Sequence, residues 1–124
     1  MSEGVALASR RCAPCEGGTS PLTEEEARAY LAQLHRELAE PMGEGGWELV
    51  EGKKIIKTFR LKGFREAIAL VNRVAALAEA EGHHPDIWVS YRRVRFELTT
   101  HAIGGLSEND FIMAAKIEAL AAQG

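Results

Sequence analysis

One long amphipathic segment, stopped by a glycine, constrains the fold of this chain more than any other feature. Between residues 64 and 81 apolar side chains recur at spacings of three and four, which predicts a helix with one buried stripe. Gly82 follows at the position where a left-handed residue ends many helices. The fold must therefore cover one face of this helix. The predicted stripe consists of Phe64, Ala67, Ile68, Val71, Val74, Ala75 and Ala78.

Two of the four histidines of the chain, His83 and His84, follow Gly82 at once. Pro85 disfavours a helical conformation for His84, so we expect an extended pair whose imidazoles point in different directions. Histidine is the side chain whose ordinary pKa lies nearest neutrality, so a close pair can supply a proton donor and an acceptor at one pH. We therefore place the chemistry at this junction between helix and strand.

Alternating apolar and polar residues predict two β-hairpins, one before the long helix in the chain and one after it. The first joins residues 47–50 to residues 55–61 through Glu51-Gly52, where glycine supplies the positive φ of a short turn. The second joins residues 88–91 to residues 94–98, with one face on a core and the other in water or on a partner. Its far end should return His101 to the neighbourhood of His83.

Capping residues predict two further helices. Thr23 and Glu26 have the spacing of a capping box, and leucines follow at helical intervals until Pro41 and a glycine cluster end the element. His35 lies on that helix, and we interpret it as structural or solvated. Ser107 begins the last helix, and Asp110 lies where a carboxylate complements the N-terminus.

The order helix, hairpin, helix, hairpin, helix predicts an α+β domain, in which one four-stranded antiparallel sheet carries helices on one face. A chain of 124 residues has room for one hydrophobic core. We divide it into a flexible lead-in, residues 1–20, and one domain, residues 21–124. Because one sheet face or an edge strand is left open, we expect a homo-oligomer.

Composition gives no support to some classes of partner. A net charge of −3 gives no reason to expect nucleic acid or an anionic membrane as a partner. No segment approaches membrane-spanning length, and Arg10-Arg11 follows a short apolar stretch, the reverse of a secretory signal. We therefore expect a cytoplasmic protein. Cys12 and Cys15 have CxxC spacing but no partner ligands, so we interpret them as structurally incidental rather than as a redox or zinc site.

Seven positions together resemble the signature of the pterin-4a-carbinolamine dehydratases. They are Glu79, His83, His84, Pro85, Tyr91, His101 and Asp110, and the resemblance extends from Thr23 to Leu120 and includes Gly46-Trp47. It implies a two-layer ββαββα fold, a homodimer or homotetramer, and dehydration of a 4a-hydroxytetrahydropterin to quinonoid dihydropterin. That substrate is what an aromatic amino acid hydroxylase leaves behind. The resemblance implies no metal and no redox cofactor.

The resemblance also implies roles for particular residues. His83 and His101 would protonate the departing hydroxyl, while His84 would help to bind the pterin and accept a proton. Glu79 would orient His83, although from sequence alone it is a solvated helix residue. Three more positions fall in the substrate site of the family: Pro85, Trp47, which spacing alone would make a core aromatic, and Asp110, which has the capping role as an alternative.

Two other functions stay open at this point. A protein-interaction or dimerisation module acting as a transcriptional cofactor would use the helical surface and not the histidines. A metal-dependent hydrolase would use His83, His84, Asp86 and His101, although adjacent histidines in an extended segment make a poor chelate.

Overall fold

The computed structural model describes residues 5–14, 19–38 and 45–123. In chain order these residues form α1 (Glu24–Glu37), β1 (Glu48–Val50), β2 (Lys54–Arg60), α2 (Phe64–Glu81), β3 (Asp86–Ser90), β4 (Arg93–Leu98) and α3 (Glu108–Ala122). Two short 3-10 turns, Leu7–Ser9 and His101–Ile103, lie outside this pattern. The predicted α+β order is confirmed, with strand ends shifted by one or two residues.

The sheet has the strand order β1-β2-β4-β3, and all its neighbours are antiparallel. Residues paired across strands share a face, and the buried pairs Ile55↔Leu98 and Phe59↔Val94 lie on the side of the helices. The opposite face carries exposed arginines and the half-exposed Trp88. The helices therefore cover one face of the sheet, as predicted.

Both hairpins use left-handed residues in their turns. Gly52 has φ 70° and Glu51 before it has φ 54°, so the first turn needs positive φ at two positions, of which glycine supplies one. In the second hairpin Ser90 pairs with Arg93, which places Tyr91 in the turn with φ 54° rather than in a strand. The tight turns set the register that aligns the apolar pairs.

The buried stripe of α2 is rotated relative to the prediction. Its buried residues are Ala67, Leu70, Val74 and Ala78. Phe64 is 54% exposed, and Ala75 is also exposed. The predicted stripe omits Leu70, because a stripe through Ile68 and Val71 matches the helical periodicity as well as one through Leu70 does. The apolar surface of α2 is therefore wider than the part of it that the sheet and α3 cover.

The core is built around α3, most of whose side chains are buried. Tyr30 of α1 stacks on Phe111 with ring centroids 5.3 Å apart, and Phe59 meets Phe96 edge to face at 5.8 Å. Leu7, from the 3-10 turn before α1, is fully buried in the same core. Among the described residues, no helix is both long and apolar enough to cross a membrane.

Candidate active site

A cleft of about 380 Å³ opens where the end of α2, the end of β4 and the start of α3 meet. Its lining includes His83, His84 and His101, so the second hairpin does return the third histidine to the first two. A cleft of similar volume, about 390 Å³, lies on the open sheet face, and none of its described lining residues is a histidine. The other residues of the histidine cleft are Cys12, Ala13, Pro14, Glu81, Gly82, Thr99, Thr100, Ala102 and Asn109.

The end of α2 directs the two adjacent histidines. Gly82 has φ 69°, and its amide and that of His83 both donate to the Ala78 carbonyl, at 2.9 and 3.3 Å. This left-handed cap stops the helix and turns the chain toward the cleft. Pro85 is half-buried and leads into β3, and it is not a lining residue.

His83 is held by a buried carboxylate. Its Nε2 lies 2.6 Å from Asp110 Oδ1, and the side chains are 11% and 0% exposed. The other oxygen, Asp110 Oδ2, accepts from Thr100 Oγ1 at 2.8 Å and from the Ser107 amide at 3.0 Å. Thr100 and Ser107 are themselves joined through their hydroxyls at 2.7 Å. Asp110 therefore caps α3 and holds His83 at the same time.

This arrangement sets the chemistry available to His83. An ionised carboxylate accepts a hydrogen bond, so Nε2 carries the proton that it donates to Asp110. Nδ1 is then the ring nitrogen that can exchange a proton with a bound molecule. Because both oxygens of Asp110 are engaged and buried, the imidazole has one orientation.

His84 has a partner of a different kind. Its Nε2 lies 2.5 Å from Glu79 Oε2, with the side chains 60% and 79% exposed. The resemblance implied that Glu79 orients His83, but in the structure Glu79 contacts His84. Successive residues of an extended segment project to opposite sides, so only one of the two histidines reaches back to α2 while the other faces α3.

His101 is exposed and starts the 3-10 turn that follows β4. The turn is closed by the Thr100 amide, which donates to the Gly105 carbonyl at 2.8 Å. Gly105 is required there because a Cβ at this position would come within 2.8 Å of Pro21 Cβ. The packing of the turn thus brings His101 to the cleft.

Trp47 lies in the core rather than in the cleft. Its side chain is buried, its Nε1 donates to Glu118 Oε2 at 3.0 Å, and its ring meets Phe59 edge to face. Its amide donates to His35 Nε2 at 3.0 Å, so His35 is structural, as interpreted from the sequence. Glu118 also pairs with the buried Lys57. In this chain Trp47 has the structural environment that its spacing alone indicated.

One wall of the cleft is formed by Cys12, Ala13 and Pro14. They end a segment, residues 10–14, which we call the N-terminal strap. The Cys12 amide donates to Glu81 Oε1 at 2.8 Å. The Ala13 amide donates to Asn109 Oδ1 at 2.9 Å, and Asn109 Nδ2 donates to the Ala13 carbonyl at 2.5 Å. The sequence reading expected weak order here, since no periodicity reveals backbone contacts of this kind. Cys15 lies outside the described residues.

The environment of the strap controls two ionisable groups. Burial, together with the nearby Glu81 carboxylate, raises the pKa of the Cys12 thiol to about 12. Burial also tends to raise the pKa of Glu81, but the Cys12 amide, Lys116 and Arg11 outweigh it and hold that pKa below its ordinary value. Cys12 is therefore a protonated thiol at neutral pH. In the described parts of the chain, no three His, Cys, Asp or Glu side chains are grouped to hold a metal ion.

Comparisons with known proteins agree on one family. The family model described as pterin 4 alpha carbinolamine dehydratase matches residues 20–120. A provisionally named pterin-4-alpha-carbinolamine dehydratase of Nitrosomonas eutropha is 50% identical over 120 residues, which cover 97% of each chain. One of Methylococcus capsulatus, also provisionally named, is 44% identical over 98% of each chain. A solved transcriptional coactivator/pterin dehydratase from Brucella melitensis is similar with TM-score 0.69 and 34% identity, over 82% of this chain and 99% of its own.

Proposed function

The chain belongs to the pterin 4 alpha carbinolamine dehydratase family, and from that premise we propose that it is a hydro-lyase using its cleft histidines as acid and base. The substrate would be a 4a-hydroxytetrahydropterin, and the products quinonoid dihydropterin and water. The reaction restores a pterin after a hydroxylase has used it. A cytoplasmic location remains a prediction from the sequence.

One observation carries this proposal: three imidazoles line a single cleft, and one of them is locked by a buried carboxylate. Dehydration needs a group that protonates a departing hydroxyl and a group that removes a proton from nitrogen. Imidazoles do both near neutral pH. Asp110 holds the ring of His83 in one orientation, which supports a proton donor that is positioned before the substrate arrives.

The step balances without a redox partner. The N5 lone pair forms the C4a=N5 double bond as the C4a–O bond breaks, and the acid gives its proton to the departing oxygen so that water leaves. The base then takes the N5 proton. We assign the acid role to His83, which would give the Nδ1 proton of its doubly protonated form, and to His101. Binding and proton acceptance are assigned to His84. Such help is typically worth about two to four powers of ten in rate.

Glu79, Pro85 and Trp47 have smaller parts in the proposal. Glu79 would act through His84, which it contacts at 2.5 Å, and would be a positioning residue. Pro85 would restrict the backbone of His84. For Trp47, burial and the bond to Glu118 favour a structural role in this chain. Asp110 positions His83 and caps α3.

The experiment is stopped-flow absorbance with chemically generated 4a-hydroxytetrahydropterin. We expect the protein to accelerate dehydration, and His83→Ala and His101→Ala each to lower kcat by about a hundredfold. The matched control is His35→Gln, because His35 is a histidine outside the cleft whose acceptor role toward Trp47 a glutamine can keep. No acceleration by folded wild-type protein, or full turnover by both alanine variants, would refute the proposal.

A homo-oligomer is the second part of the proposal. Phe64 is 54% exposed, Trp88 50% and Tyr91 69%, which leaves apolar surface beside the edge strand β3 and on α2. A second copy would cover such surface, and a homodimer or homotetramer is the closed symmetric assembly that we propose. Light scattering after size exclusion gives the mass, and a concentration-independent monomer would contradict this part.

Partner binding is the alternative function, favoured by the double description of the Brucella melitensis structure as a coactivator and a pterin dehydratase. In this chain, such a role would use the exposed helical surface near Phe64. Binding of a regulator that survives substitution of all three cleft histidines but is lost in Phe64→Ser would support the alternative.

A further inference from the structure

We propose that the N-terminal strap is a substrate-contacting wall of the histidine cleft and selects among pterins by their C6 substituent. The inference rests on the proposed function and adds a determinant of specificity to it. The strap lies before residue 20, where the match to the family model begins. The strap is placed in the cleft by its own hydrogen bonds to Glu81 and Asn109.

The strap is anchored at its N-terminal end, just before it reaches the cleft. Leu7 is fully buried in the core, and the Arg10 side chain is 5% exposed. Arg10 Nη1 lies 2.5 Å from Glu108 Oε2, and its Nε donates to the Val5 carbonyl at 2.7 Å. A buried guanidinium paired in this way fixes the path of the chain toward α3.

Two side chains then clamp the strap backbone at the cleft. Glu81 accepts from the Cys12 amide, and Asn109 makes two hydrogen bonds with the backbone of Ala13. Glu81 is the last residue of α2, two positions before His83, and Asn109 adjoins Asp110 in α3. The strap is thus held by the same two helix ends that hold the His83–Asp110 pair.

The surface that the strap adds to the cleft is small and apolar. Its lining residues are Cys12, Ala13 and Pro14, and the polar backbone groups of Ala13 are used by Asn109. The Cys12 thiol lies 3.7 Å from the Asn109 carbonyl, to which it donates. A wall of this kind cannot serve the hydrogen-bonding pyrimidine edge of a pterin, but it fits a carbon chain.

The reaction chemistry places such a chain near the strap. C6 of a pterin is bonded to N5, the nitrogen that loses its proton, so a C6 substituent leaves the ring beside the groups that handle that proton. In the proposed function His84 takes that proton, and His84 and the strap line the same cleft. The geometry therefore points to the C6 substituent as the part that meets Ala13.

The experiment enlarges the wall and compares two substrates. Ala13 is exposed, so Ala13→Leu should fold normally while filling part of the cleft. With a dihydroxypropyl group at C6 we expect KM to rise about tenfold, against less than about twofold for the 6-methyl substrate, with kcat retained for both. Ala76→Leu, at an exposed alanine of α2, is the matched control.

A second variant loosens the wall. Asn109→Ala removes the two hydrogen bonds to Ala13, and we expect KM for the dihydroxypropyl substrate to rise about threefold, with an unchanged pH profile of kcat. Asn72→Ala, on the exposed side of α2, is its control. An altered pH profile of kcat would mean that the substitution disturbed Asp110, and it would count against the strap as a wall of the cleft. If Asn109→Ala does not fold, the result for Ala13→Leu decides whether the strap contacts the substrate.

The outcomes separate this inference from the proposed function. If the wild-type protein accelerates dehydration but Ala13→Leu leaves KM unchanged for both substrates, the strap is not a wall. An equal rise in KM for both would place the strap against the ring and overturn selection at C6. If the folded wild-type protein gives no acceleration, the proposed function fails and this inference fails with it.

Discussion

Two histidine–carboxylate pairs border the cleft, with nearly equal lengths and opposite surroundings. His83 and Asp110 are joined at 2.6 Å with side chains 11% and 0% exposed. His84 and Glu79 are joined at 2.5 Å with side chains 60% and 79% exposed. Distance alone would make the pairs equivalent, so burial and the number of supporting bonds distinguish them.

The difference lies in what else holds each carboxylate. Asp110 accepts from Thr100 and from the Ser107 amide, so moving it breaks a buried network and the cap of α3. Exposed ion pairs are worth about 0–1 kcal/mol because water solvates both partners and the side chains remain mobile. The buried pair can therefore fix the orientation of the His83 imidazole, whereas the exposed pair can only favour one orientation of the His84 imidazole.

The largest expected difference comes from removing each carboxylate charge. Asp110→Asn should lower kcat for dehydration about a hundredfold, since an amide NH₂ facing Nε2 removes the acceptor that orients His83. Glu79→Gln should lower kcat less than about threefold. Stopped-flow rates measure both, with thermal melts to show that each variant is folded. Equal losses would show that burial does not distinguish the pairs.

The support of Asp110 can be weakened without touching its charge. Thr100→Val removes the hydroxyl that donates to Asp110 and should lower kcat about fivefold and the free energy of unfolding by about 1 kcal/mol. Thr58→Val, at an exposed position of β2, is the matched control. Urea denaturation and stopped flow give the two quantities. Unchanged kcat in a destabilised variant would assign Thr100 to stability alone.

The pH dependence of stability tests the surroundings of a third carboxylate, that of Glu81. Its pKa in the folded protein lies below the ordinary value of 4.5, because hydrogen bonding from Cys12 and the charges of Lys116 and Arg11 outweigh burial. Its stabilisation is therefore complete above pH 4.5 and is lost as pH falls through the folded pKa. Urea denaturation should show Glu81→Gln less stable than wild type at pH 7, with the difference closing in acid.

The exposed Glu25→Gln is the control for this comparison. A stability difference for Glu81→Gln that stays constant from neutral pH to below 4.5 would contradict the lowered pKa of Glu81.

The smallest expected effect is that of salt. At about 1 M NaCl the Debye length falls to about 3 Å, so the kcat ratio of wild type to Glu79→Gln should approach one. The ratio of wild type to Asp110→Asn should keep its value, since that pair is buried. Stopped flow at low and high salt measures both ratios. A salt-sensitive Asp110 ratio would show that water reaches the buried network.

Much of the fold could be predicted because its signals are local. The cap at Gly82, the Thr23–Glu26 box and the turn at Glu51-Gly52 depend on neighbouring residues, and each lies where the sequence placed it. Alternation in β4 predicted which side of the sheet meets the core. The rotation of the buried stripe of α2 toward Leu70 could not be predicted from the sequence. Periodicity shows that a helix has an apolar face, but not which edge of that face the sheet and the other helices cover.

The sequence by itself determined which chemical groups this protein has at the junction: two adjacent histidines after a helix stop, a third after a hairpin, and a carboxylate at a helix N-terminus. Only the tertiary structure decided their partners. Asp110 holds His83, Glu79 contacts His84, and residues 12–14 form one wall of the cleft. The physical reason is range: caps and turns form between near neighbours, whereas these contacts join helix ends and the strap by packing that no local pattern encodes.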